Sequence, residues 1–134
     1  MPATIKGSFE VKLLPQALAF QHEKPGLARM SIDKQFRGEL DATSKGEMLS
    51  AGTDVKGSAG YVAIERVSGS LQGRKGTFVL QHFATMNRGV PHLDISVVPD
   101  SGTDELTGLE GTMKIDIVEG HHSYTFKFSI SGQA

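Results

Sequence analysis

Fifteen acids, five histidines and two tyrosines are among the side chains of this 134-residue chain that could move a proton or grip a ligand. Three of the ionisable ones stand where alternation would put an apolar side chain. In GYVAIERV (60–67), Tyr61, Ala63, Glu65 and Val67 share one face of a strand. In GTFVLQHFATM (76–86), His82 falls in line with Phe78 and Leu80, and further on His122 falls with Tyr124 and Phe126. A carboxyl turned into an apolar interior must find a partner or take up a proton, and either outcome moves its pKa. Glu65 and His82 sit on adjacent strands, so they could form a general acid/base couple. Glu65 with His122 could form part of a metal site. A polar pair that only holds two strands in register accounts for the same residues. His121 and His122 are neighbours and point to opposite faces of a strand, so they cannot serve one ion together.

Other chemistries are excluded by absence or by spacing. There is no cysteine, hence no disulfide frame, no thiolate nucleophile and no Cys-based metal centre. No GxSxG, HExxH or EF-hand loop occurs. The run DSGTDELTGLEGT (100–112) resembles a phosphate cradle only in its glycines. Gly102, Gly108 and Gly111 lack the GxGxxG spacing, no helix follows, and Asp100, Asp104, Glu105 and Glu110 would repel a phosphate. Turn and bulge geometry with a solvated acidic rim is the expected role. Arg66, Arg74 and Lys75 read as an exposed basic turn, and Met48, Met86 and Met113 as core filler. No cofactor and no complete metal site are expected.

The elements that must position Glu65, His82 and His122 are strands. SYTFKFSIS (123–131) and LEGTMKIDIV (109–118) alternate strictly and are joined by EGHH as a hairpin. Segments 5–14, 28–40, 46–55, 60–67, 76–86 and 92–98 complete a set of about eight, with SGSLQGRKG as one of the turns. The expected fold is all-β, a single domain over residues 1–134 forming a sandwich or barrel. Residues 15–27, bounded by Pro15 and Pro25, are too long for a hairpin turn and read as a lid or edge cover, with room for a short helix over 17–21. Val62 and Ile64, and likewise Val79 and Phe83, make two strands apolar on both faces. Their outer cover is expected to be another subunit, so a homo-oligomer follows, unless the 15–27 connection folds over that face.

The formal net charge is -1, from 14 basic and 15 acidic residues. No basic field results, so nucleic acid and anionic membrane are not expected partners. No apolar run is long enough for a spanning helix, and MPATIKGSFE lacks the pattern of a secretory signal, so a cytoplasmic location is expected.

Taken in order, IERVSGSLQGRKGTFVLQH (64–82), PDSGTDELTGLEGTMKI (99–115) and HHSYTFKF (121–128) resemble a family of small uncharacterised bacterial proteins. The resemblance covers about 29–132 and rests on Glu65, Gly73-Arg74, Gly76, Phe78, Gln81-His82, Ser101-Gly102-Thr103, Leu106, Gly108, His122 and Tyr124. The family's fold is grouped with the allene oxide cyclase-like barrels, which include the plant dirigent proteins. The resemblance implies an eight-stranded antiparallel barrel that self-associates, and no function. None of the superfamily's catalytic residues can be placed on this chain. Three functions are therefore expected in turn. The first is a barrel cavity binding one small apolar or amphipathic ligand, lined by Tyr61, Glu65, Phe78, His82, His122 and Tyr124. The second is an isomerase or cyclase using Glu65 and His82 as acid and base. The third is an interaction protein whose working surface is the oligomer interface near 60–84.

Overall fold

The computed structural model describes residues 2–20 and 26–131. Eight antiparallel strands close on themselves in chain order: β1 (Ala3–Gln16), β2 (Leu27–Arg37), β3 (Leu40–Gly52), β4 (Ala59–Leu71), β5 (Arg74–Asn87), β6 (Val90–Val97), β7 (Leu109–Val118) and β8 (His121–Ile130). Closure comes from β1 pairing with β8, from Ala3 opposite Phe128 to Phe9 opposite His122. A closed antiparallel barrel leaves no unpaired edge, which suits a chain with this little helix.

The strands run longer than alternation alone predicts. β1 takes in Pro15, and β3 begins at Leu40, so the run read as one strand over 28–40 contains a turn at Gly38 and Glu39. Gly38 has φ +112, a conformation that ends β2 and that a side chain would resist. The helix considered for 17–21 is absent over 17–20, and the rest of the proposed lid, 21–25, lies outside the described residues.

The barrel is unequal along its axis. Its lower half is filled by Phe36, Leu40, Val67, Leu71, Phe78, Leu80, Leu109, Tyr124, Phe126 and Phe128. Phe78 stacks on Phe126 with centroids 5.9 Å apart, and Phe126 on Phe128 at 5.1 Å. Beneath them the 100–112 run carries a 3-10 turn, Asp104–Leu106, that drives Leu106 into the barrel end at 1% exposure. Gly102 is required there, because a Cβ would overlap the Leu106 carbonyl. The glycine-rich run is therefore the barrel's plug, with its acids outside: Glu105 accepts from the Lys75 backbone N–H at 3.1 Å.

The upper half is different. β6 and β7 pair only at Ile95–Met113 and Ser96–Thr112, so the seam between them is short. Outside, Leu49, Val62, Ile64 and Phe83 lie side by side on β3, β4 and β5, each about half exposed. The described part of the 15–27 connection leaves this strip uncovered. Among the described residues no helix is long and apolar enough to cross a membrane.

Candidate functional site

Four strands place four polar side chains at the boundary between the filled and open halves. Lys34 on β2 stands opposite Ser44 on β3, Gly46 on β3 opposite Glu65 on β4, and Ala63 on β4 opposite His82 on β5. Gly46 has to be glycine for this: a Cβ there would come within 2.6 Å of the Glu65 Cα. With no side chain at 46, β3 and β4 can pair closely at Glu65.

Glu65 is fully buried, and both of its oxygens are taken. Oε1 accepts from the Ser44 hydroxyl at 2.7 Å. Oε2 accepts from the Lys34 ammonium at 2.8 Å and meets His82 Nε2 at 2.6 Å. Lys34 also lies over the rings of Phe9 and Phe36, 5.0 and 5.5 Å from their centroids, which favours its charge further. Among the described residues Lys34, Ser44, Glu65 and His82 are the buried polar ones, and none of their buried side-chain atoms lacks a partner. Burial alone would raise the carboxyl's pKa, but the hydrogen bond from His82, the charge of Lys34 and the donors Lys34 and Ser44 outweigh it. The result is a shift from 4.5 down to about 2, so Glu65 is a carboxylate at any ordinary pH.

The network ends at the cavity. Tyr61 OH lies 3.3 Å from His82 Nδ1, the nitrogen that Glu65 leaves free. Burial and the nearby Glu65 charge both raise the Tyr61 pKa, so the phenol stays protonated. Above the floor of Lys34, His82 and Tyr61 opens a cavity of about 630 Å³. Its walls are largely apolar, with Phe9, Ile32, Met48, Ala63, Ala84 and Leu93 among them. Leu13, Met86 and Ile117, all substantially exposed, mark its mouth.

The residues singled out from sequence divide between the two halves. Glu65 and His82 are in contact, and Tyr61 joins them. Glu65 itself lies behind Lys34 and His82 and does not line the cavity. His122 lines it, its ring 5.2 Å from that of Phe9. Phe78 and Tyr124, expected on the cavity wall, stand in the filled half instead. The Tyr124 hydroxyl donates to the Arg37 carbonyl at 2.9 Å and accepts from the Leu40 N–H at 3.3 Å, tying down the β2–β3 turn. Among the described residues no group of three or more histidines and acids could hold a metal ion. The partial metal site considered for Glu65 and His122 has its carboxylate committed to Lys34, Ser44 and His82.

Two residues of the site escaped the reading of the sequence, Lys34 and Ser44. Lys34 did carry a signal: it fills the even position between Ile32 and Phe36 on a strand whose other even positions are apolar. Ser44 carried none.

The family model described as "Protein of unknown function (DUF3224)" matches residues 5–128. The chain belongs to this family. A crystal structure of a DUF3224 protein of unknown function from Shewanella oneidensis MR-1 is similar over 99% of this chain and 100% of that one. The identity is 52% and the TM-score 0.94. No curated protein matches. The DUF3224 barrel is thus an architecture shared by the two proteins.

Proposed function

We propose that the protein binds one small apolar or amphipathic molecule in the open half of its barrel. The observation that carries this reading is the cavity of about 630 Å³, within the usual range for small-molecule sites, with largely apolar walls and Lys34, Tyr61 and His82 at its floor. Titration with N-phenyl-naphthylamine, an apolar fluorescent probe, tests the reading. Saturable binding of one probe per chain is expected, and a flat titration would refute it.

Acid/base catalysis is the second reading, favoured by the chain Glu65, His82, Tyr61 that runs from the interior to the cavity floor. Glu65, fully buried and ionised, would orient His82, and of these three His82 and Tyr61 line the cavity where a ligand would sit. The test is isomerisation of a bound ligand that stops in His82→Gln. A separate proposal concerns the outer strip of Leu49, Val62, Ile64 and Phe83, which supports self-association and hence an interaction role. The closed strand order also supports grouping the family with the allene oxide cyclase-like barrels. We assign the protein to the bacterial cytoplasm, which fractionation of its host would decide.

A further inference from the structure

The direction of each hydrogen bond in the floor can be worked out, and it restricts the ligand. Glu65 brings no proton of its own: it is a carboxylate with Lys34 and Ser44 donating to it. The proton in its 2.6 Å contact with His82 therefore sits on Nε2. With a single N–H on the imidazole, Nδ1 is then bare, and in the 3.3 Å contact Tyr61 is the donor. The Tyr61 hydroxyl, having spent its only hydrogen on His82, shows lone pairs alone to the cavity. Lys34 shows the opposite character, since an ammonium has donors only and just one is used on Glu65. Lys34 and Glu65 cancel each other's charge, so the floor has no net charge to attract an anion.

We infer that the cavity selects the hydroxyl end of a neutral amphipathic molecule, which donates to Tyr61 and accepts from Lys34, over a carboxylate. The inference rests on the binding reading above. A carboxylate has no hydrogen for Tyr61 and would meet its lone pairs. The groups facing His82 are Glu65 and Tyr61 from β4 and Lys34 from β2. β6 presents apolar Ile95 opposite it, with His92 further up the cavity wall beside exposed Asp94, and β8 presents His122.

Displacement of N-phenyl-naphthylamine by octanol and by octanoate tests this. Octanol should displace the probe at least roughly tenfold more effectively than octanoate. Tyr61→Phe should weaken octanol roughly five- to tenfold and reduce its advantage. Equal displacement by the two overturns the inference and leaves the cavity intact. Absence of probe binding to the wild-type protein overturns both. The wild-type arms decide the matter even if the variant does not fold.

Discussion

The Lys34 ammonium and the Glu65 carboxylate meet at 2.8 Å inside the barrel, at 6% and 0% exposure. A pair so placed has lost most of its water, the carboxylate all of it. It is held by Ser44 and His82 on the carboxylate and by the faces of Phe9 and Phe36 on the ammonium. Such a pair adds little over well-packed apolar side chains, yet removing one partner strands the other charge without solvent. It marks the level at which the filled core gives way to the cavity.

Lys34→Met should therefore destabilise the protein by about 3–5 kcal/mol in urea unfolding, because Glu65 keeps its charge and loses its counter-ion. Combining Lys34→Met with Glu65→Leu should recover most of that loss. A double variant as unstable as the sum of the singles would show that the two residues act separately.

The acid limb of stability should depend on Glu65. Its folded pKa is depressed, from 4.5 to about 2, so its contribution is complete above the unfolded value and is lost as pH falls between the two. Melting temperature measured against pH should fall through that window. In Glu65→Gln the fall should be shallower, since the variant has no proton to take up there.

Gly46→Ala tests how the carboxylate is accommodated. The added Cβ would come within 2.6 Å of the Glu65 Cα and 2.8 Å of its Cβ, so β3 and β4 must part. A loss on the order of 2 kcal/mol is expected, with Glu65, Ser44 and Lys34 disordered together in a crystal structure. A variant as stable as the parent would mean the strands adjust freely.

Much of the barrel was legible in the sequence because a closed antiparallel sheet buries one face of each strand, and period two reports that directly. Glu65 and His82 stood out as polar residues on that face, and they do meet. The axial position of each residue was not legible. Tyr124 and His122 share a face and differ by two residues, yet one is packed against Phe36 and the other lines the cavity. Strand tilt and register around the barrel decide that, and neither leaves a local mark. Lys34 was obscured for another reason. Lysine is usually solvated, so its inward position matters only once Glu65 is known to stand two strands away. Leu106 was hidden among acids and glycines whose own solvation is unremarkable.

The outer strip gives a prediction of its own. Phe83→Glu combined with Val62→Lys should convert an assembly to monomer in light scattering, leaving probe binding unchanged, because both side chains point away from the cavity. A parent protein that is already monomeric at micromolar concentration would remove the proposed interface.

Ala84→Phe addresses the cavity directly. Ala84 lines it, on the strand pair beside Tyr61 and Leu93, and a phenyl ring there would occupy ligand space without displacing the filled core. Overpacking in a closed core costs about 1–3 kcal/mol, and a change near the low end is expected because the ring enters open volume. Probe affinity should fall at least roughly tenfold.

The most direct measurement is a crystal structure of the protein soaked with a bromine-tipped octanol, read from the anomalous signal. One bromine per chain is predicted near the mouth at Leu13, Met86 and Ile117, with the hydroxyl at Tyr61 and Lys34. A cavity closed by side chains, or filled by ordered water with no bromine inside, would contradict the binding function.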